Sequence, residues 1–349
     1  MAVQQLLGYK PLCYIKKTLY LYRKGFIYRL VENQPEKVIQ VYPGTTKESL
    51  RVLARLFRTE PKYAVPINES QMLLVGHRTI KVVDVEKHIV RDISSSREGF
   101  SDPLNICVGR EKWVALWGDY GSNAEHDFVN IYGLTEDSKV ETVYSFESGQ
   151  VRHIHNIIPK LSGGYYVFTG DREKGAGIYK ANISFDQVEP VKIGQQQYRA
   201  VVGFDTPKGL LYATDAVNEK NYVYLLDGKG EPQKICALNG SCIYGTEFKG
   251  KYYFSTTVEP DENNRGVTSW ISSKRGDGII SDEVYLIEVD DEMNFKTIEK
   301  FKKDVLPMKL MQYGTIQFPK GITDELWCYP VAVKKYDGKA LLIKAEEGL

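Results

Sequence analysis

The sequence predicts an all-β chain closed into a seven-bladed β-propeller, with one short helix near residues 46–58. Three observations carry this expectation. Short stretches of alternating apolar and polar residues run along most of the chain, as half-buried strands require. They fall into groups of four that recur about every 45 residues, the repeat of a propeller blade. The last group holds only three strands, and residues 2–6 are placed to supply the fourth and close the ring. Six blades is the alternative, reached if the first and last groups merge.

The first group takes residues 12–15, 18–22, 26–30 and 37–41, and the second 62–67, 71–75, 79–83 and 88–93. The third takes 104–108, 113–117, 128–132 and 140–146, and the fourth 152–158, 164–169, 177–180 and 188–193. The fifth takes 199–204, 209–214, 222–226 and 233–237, and the sixth 242–248, 251–256, 283–289 and 297–301. The last holds 313–318, 325–329 and 341–344. Residues 45–58 interrupt the pattern. Thr45 and Glu48 have the spacing of a capping box, and Leu50, Leu53, Leu56 and Phe57 recur at helical intervals before Pro61. Residues 259–282, rich in Gly, Asn, Arg and Ser, read as a surface loop inside the sixth group. Gly and Pro are scattered at turns with no linker, so residues 1–349 are expected to form one domain.

Composition narrows the function. The 46 basic and 45 acidic residues leave a net charge of +1 with no charge block, which argues against phosphate-driven nucleic-acid binding. The 42% hydrophobic content suffices for a sizeable core. The 24 tyrosines suit strands, and also surfaces that stack on sugar rings. Cys13, Cys107, Cys236, Cys242 and Cys328 are odd in number and lack a zinc-type spacing, so they read as thiols of a reducing compartment. No apolar run approaches about 18 residues, and no secretory pattern opens the chain. A cytoplasmic protein with no membrane span is expected.

The densest chemistry lies at residues 152–156, Arg-His-Ile-His-Asn, followed at 169–172 by Thr-Gly-Asp-Arg. On a strand, residues two apart share a side, so His153 and His155 present adjacent imidazoles. Arg152, His153, His155, Tyr198, Arg199, Tyr244 and Tyr313 all fall at the start of a group's first strand. In a propeller those leading ends form one mouth of the central channel. Asp119, Asp171, Asp215 and Glu259 end second strands and point toward the same face. A third metal ligand beside the two histidines is not evident, although His126 sits in a loop that could approach; neither a metal nor another cofactor is expected. His77 and His88 read as structural. Asp171 and Asp215 also fit turn caps, and His153 and His155 also fit strand-locking histidines.

The same segments resemble the sialidase-like, BNR-type propeller proteins encoded in bacterial capsule and exopolysaccharide gene clusters. The resemblance covers roughly residues 110–320. It rests on 117–123 (WGDYGSN), 152–156 (RHIHN), 169–171 (TGD), 194–200 (GQQQYRA), 214–221 (TDAVNEKN), 255–260 (STTVEP), 303–304 (KD) and 312–319 (QYGTIQFP). The Ser-x-Asp-x-Gly-x-Thr-Trp turn of sialidases is degenerate here, with remnants at 183–186 and 272–278. The resemblance implies bacterial polysaccharide metabolism.

These readings combine into a carbohydrate-active propeller that acts on an acidic oligo- or polysaccharide at the channel mouth. Uronate β-elimination needs a cation for the carboxylate, a base and an acid; Arg199 or Arg152 suits the first role, and His153, His155 or Tyr198 the others. Hydrolysis needs two carboxyl groups about 5–9 Å apart, for which Asp119, Asp171, Asp215 and Glu259 are candidates. A sialidase-type site would draw on Arg152, Arg199, Arg265, Tyr313 and Glu259. The candidate catalytic set is His153, His155, Tyr198, Arg199 and Asp171. The candidate substrate-binding set is Arg152, Asp119, Asn123, Asp215, Tyr244, Glu259 and Tyr313. The alternative is a non-catalytic propeller that binds a glycan or a protein, with glycosyltransferases as candidate partners.

Overall fold

A computed structural model describes residues 4–170 and 175–343. It contains seven four-stranded antiparallel sheets. Strand β1 (Gln5–Leu7) precedes the first blade, which comprises β2 (Lys10–Ile15), β3 (Thr18–Arg23), β4 (Phe26–Val31) and β5 (Gln34–Gln40). The second comprises β6 (Tyr63–Pro66), β7 (Gln71–Gly76), β8 (Thr79–Asp84) and β9 (Ile89–Ser95). The third comprises β10 (Cys107–Val108), β11 (Ala115–Gly118), β12 (Val129–Leu134) and β13 (Val140–Phe146). The fourth comprises β14 (His153–Pro159), β15 (Tyr165–Gly170), β16 (Gly177–Ala181) and β17 (Val188–Ile193). The fifth comprises β18 (Ala200–Thr206), β19 (Gly209–Thr214), β20 (Asn221–Leu226) and β21 (Gln233–Leu238). The sixth comprises β22 (Cys242–Phe248), β23 (Lys251–Thr256), β24 (Glu283–Val289) and β25 (Phe295–Lys302). The seventh takes β26 (Thr315–Gln317), β27 (Leu326–Val331) and β28 (Lys339–Ile343), and β1 completes it.

Closure is an antiparallel pairing of Gln5 with Leu341, Leu6 with Ala340 and Leu7 with Lys339. It makes the N-terminal strand the outer strand of the last blade and so ties the two ends of the ring together. The ring has seven blades, as the repeat count predicts, and the closing strand lies slightly later than residues 2–6.

Hydrophobic cores form between neighbouring blades. Leu12 and Ile27 of the first pack with Ala64, Met72 and Leu74 of the second. Inner strands are therefore covered on both faces: every residue of β2 is buried. Outer strands such as β5 keep one face in water and alternate accordingly. Bulges interrupt the pairing of first and second strands in four blades, leaving Leu12, His155, Val201 and Ile243 without a pairing partner. A bulge bends its strand and re-aims the side chain at that position.

The helix differs from its sequence pattern. Thr46–Ser49 forms a 3-10 turn, Leu50 is extended, and helix α1 runs only from Arg51 to Phe57. Thr45 Oγ1 accepts from the Lys47 amide at 3.3 Å, and the Glu48 carboxylate accepts from the Tyr22 hydroxyl instead of returning to Thr45. Glu48 is thus drawn to a blade side chain, and the capping box does not form. A second helix, α2 (Met308–Met311), lies between the sixth and seventh blades and touches α1. Arg55 is 3% exposed and joins them: it bonds the Met311 carbonyl at 2.8 Å and pairs with Asp304 and Asp337.

The 259–282 segment is more than a surface loop. Glu259, Asp261 and Ser269 are buried, and a 3-10 turn spans Val267–Trp270. The Gly278 amide donates to the Val217 carbonyl at 2.9 Å, and a Cβ on Gly278 would lie 2.0 Å from the Glu219 carbonyl oxygen. The segment is pressed against the 215–220 loop and holds Glu259 at the mouth. All five cysteines are buried as thiols. No helix among the described residues is long and apolar enough to cross a membrane.

Candidate functional site

The leading ends of the first strands and the loops between second and third strands meet at one mouth of the channel. A cavity of about 450 Å3 there is lined by Tyr120, Arg152, His153, His155, Arg199 and Asp215, with Glu259, Glu262 and Tyr313. Five successive blades, the third to the seventh, thus supply its lining.

The histidines sit where β14 meets its bulge. His153 pairs with Gly170 and Ile154 with Thr169, and Asn156 resumes the ladder opposite Phe168. His155 is the extra residue. The bulge keeps its ring over that of His153: the centroids lie 4.9 Å apart with 27° between planes. Gly170 makes room for both, since a Cβ there would stand 1.9 Å from His155 Nε2 and 2.4 Å from His153 Nε2. Tyr120 packs beside His153 with its ring centroid 4.8 Å away.

Backbone carbonyls fix the tautomers. His153 Nδ1 lies 2.6 Å from the Gly121 carbonyl oxygen and His155 Nδ1 lies 2.9 Å from that of Ala200. A carbonyl only accepts, so both Nδ1 atoms donate. The two Nε2 atoms then face each other at 3.0 Å. Two bare lone pairs repel at that distance, and one proton between them turns the contact into a charge-assisted hydrogen bond. Burial, together with the charges of His153 and Arg199, holds His155 well below the usual histidine range.

Across the cavity, Arg199 Nη2 stands 3.6 Å from Asp215 Oδ2 and 3.4 Å from Glu262 Oε1. Burial pushes the Asp215 carboxyl well above the ordinary range; Glu259 and Glu262 add to the rise and Arg199 opposes it. Asp215 Oδ1 is buried without a hydrogen-bond partner. A carboxyl raised in this way keeps its proton to a higher pH than usual and can offer it to a ligand. Burial also raises Glu259, against the hydroxyl bonds it accepts from Ser241 and Thr257.

Of the residues singled out in the sequence, Arg152, His153, His155, Arg199, Asp215, Glu259 and Tyr313 line this cavity. Tyr244 lines an adjoining chamber, and burial pushes its phenol up to about 12. Asp119 lies behind the wall, where it accepts from the Asn130 amide and the Tyr132 hydroxyl and pairs with Arg97 at 3.3 Å. Asn123 braces its own loop, donating to the Asp127 and Arg152 carbonyls. Tyr198 is buried outside the cavity and donates to Glu231 at 2.8 Å. It belongs to a 3-10 turn, Gln196–Tyr198, so strand alternation does not set its direction. Asp171 lies outside the described residues. Tyr120 and Glu262 are additions: both sit in loops with no periodicity, although Tyr120 falls inside the 117–123 segment. Among the described residues, no three His, Cys, Asp or Glu side chains are grouped to hold a metal ion.

No protein-family profile matches the chain, and no curated protein matches by sequence. Solved structures do. The CNH domain of AfRom2 is 8% identical over 97% of this chain and 98% of that chain, with a TM-score of 0.53. An oligogalacturonate lyase in complex with manganese is 9% identical over 99% of this chain and 91% of that chain, with a TM-score of 0.54. The oligogalacturonate lyase from Vibrio parahaemolyticus is 10% identical over 99% of this chain and 92% of that chain, with a TM-score of 0.52. These likenesses define the class of the chain as a seven-bladed β-propeller.

Proposed function

We propose that the chain is a carbohydrate-active propeller that cleaves an acidic glycan by β-elimination at the channel mouth. The observation that carries the reading is the single cavity that holds a histidine pair with facing Nε2 atoms, an arginine and a buried aspartate whose carboxyl is raised. In this reading Arg199, with Arg152, neutralises the uronate carboxylate, which acidifies the C5 proton. The His153–His155 pair in its proton-free form has two opposed lone pairs and is a ready acceptor. It takes the C5 proton, the C4=C5 double bond forms, and the C4–O bond breaks. Asp215 delivers its proton to the departing oxygen. Solvent then returns a proton to Asp215 and removes one from the pair. The fold shared with oligogalacturonate lyases is consistent with this chemistry. The resemblance to capsule-cluster propellers adds a bacterial polysaccharide setting.

Hydrolysis is the second reading, favoured by the presence of Asp215 and Glu259 in the same cavity. Oligogalacturonate incubated with the chain separates the two. Elimination yields an ultraviolet-absorbing unsaturated uronate, whereas hydrolysis yields new reducing ends without absorbance. The double substitution His153→Ala with Arg199→Ala abolishes either product. Binding without any product on a panel of acidic oligosaccharides would replace both readings with a non-catalytic glycan-binding propeller.

A further inference from the structure

A second chamber of about 480 Å3 adjoins the first and shares Tyr120, Ile243 and Tyr313 with it as a common wall. Its other walls come from the seventh, first and second blades and from α1. Lys10, Arg58, Lys62, His77 and Arg78 line it, against the carboxylates of Glu60 and Asp102. Four lysine and arginine side chains thus face two acids.

Neither acid balances the chamber. Glu60 is committed to Arg51 at 2.8 Å and to the Tyr329 hydroxyl at 3.0 Å. Asp102 lies 3.9 Å from Lys62, and its Oδ1 is buried without a hydrogen-bond partner. Lys10 is only 6% exposed, yet its ammonium donates to a neutral carbonyl, that of Pro61, at 2.9 Å. Lys62 is 41% exposed at its side chain and Arg78 is exposed, so both are open to a ligand. Arg78 is held at φ 63, in a turn that fixes its place at the rim. A buried lysine with no dedicated counter-ion is costly, and a bound anion removes that cost.

We propose that this chamber is an anion subsite that takes the carboxylate of a second acidic sugar, adjacent to the one held at Arg199. The inference rests on the acidic-glycan reading and extends it: the preferred ligand is an oligomer of acidic residues, with one acid group in each chamber. Burial, with Arg51 adding to it and Glu60 opposing, lowers Lys10 to about 8. A carboxylate entering the chamber stabilises the ammonium form, so binding near pH 8 draws a proton from solution.

The test uses the full chain carrying Asp215→Asn, with tri-galacturonate as the probe, by calorimetry at pH 8 in two buffers of different ionisation enthalpy. The expected result is net proton uptake and at least tenfold weaker binding when Lys62→Met or Arg78→Met is added. Arg78 is exposed, so Arg78→Met keeps the wild-type melting profile, whereas Lys62→Met also removes the contacts of Lys62 with Asp102 and is read at a temperature below its own melting transition. Lys10→Met, if it folds, loses the proton uptake. Unchanged trimer affinity in both variants, or no trimer binding at all, overturns the subsite. The two inferences fail separately. Weakened binding in the variants with no turnover by the wild type leaves the subsite and removes the lyase. Turnover with an unchanged KM when Lys62→Met or Arg78→Met is made in the otherwise wild-type chain leaves the lyase and removes the subsite.

Discussion

His153 and His155 place their Nε2 atoms 3.0 Å apart while each Nδ1 donates to a carbonyl oxygen, so two lone pairs face each other and a proton taken up by the pair is shared between them. The folded chain resists a second proton, because His155 is buried beside His153 and Arg199. In the unfolded chain each histidine protonates near pH 6.5. Below that value the unfolded state binds more protons than the native state. The stability contribution of His155 is therefore complete above about pH 6.5 and declines as the pH falls. Unfolding free energies from urea titrations at pH 7.5 and 5.5 should differ by about 1 kcal/mol more in the wild type than in His155→Gln. Equal pH slopes would show that the pair accepts both protons freely.

Gly170→Ala tests whether the imidazole pair must be where it is. The new methyl would overlap both Nε2 atoms, and Gly170 ends β15 opposite His153, with the rest of the strand paired on both edges. The expected outcome is a folded protein, by far-ultraviolet circular dichroism, with turnover of oligogalacturonate down at least about 100-fold, the scale of a lost acid–base group. The backbone of Gly170 requires no left-handed conformation, so its small size is the property being tested.

Asp215→Asn should separate function from stability with opposite signs. The raised pKa means that, between the unfolded and the folded value, the native state holds a proton the unfolded state has released. The group's contribution is fully present below about pH 3.9 and is lost as the pH rises toward its folded value. Replacing the carboxyl with an amide removes this linkage. The variant should gain about 1 kcal/mol at pH 7 relative to pH 4, and should lose at least about 100-fold in kcat. Stability that declines at pH 7 would mean that the ionised carboxylate, paired with Arg199, is the native form.

The blades were legible because their inner strands are covered on both faces and must be apolar. Leu12, Leu21 and Leu74 read as core in any frame. The mouth was legible only in part. Arg152, His153, Arg199 and Asp215 sit at blade positions that repeat, so their phase placed them. Tyr198 escaped that logic because it precedes its strand in a 3-10 turn. His155 reaches the cavity from a bulge, which period-two alternation does not represent. The second chamber left no periodic trace: Lys10, Arg58, Lys62 and Arg78 come from separate strands, turns and a helix end, and only closure of the ring brings them together. The capping box at Thr45 was a valid local signal that lost to a long-range one, the bond between Tyr22 and Glu48.

Arg55 governs the seam beneath the helical cap. Its guanidinium joins α1 to Asp304 at 2.5 Å and to Asp337 at 3.2 Å, and reaches the Met311 carbonyl beside α2. These partners come from the linkers and turn around the seventh blade, where β1 and β28 close the ring. Arg55→Met leaves two partly buried carboxylates with fewer cations, although Lys303 still serves Asp304 and Arg51 still serves Asp337. The expected loss is about 3 kcal/mol, the lower end for breaking a buried pair. Arg55→Lys should recover less than half of it, because an ammonium cannot span two carboxylates and a carbonyl as a planar fork does. Denaturant midpoints of the two variants decide the matter. Equal loss in both assigns the role to fork geometry alone, and full recovery by lysine assigns it to charge.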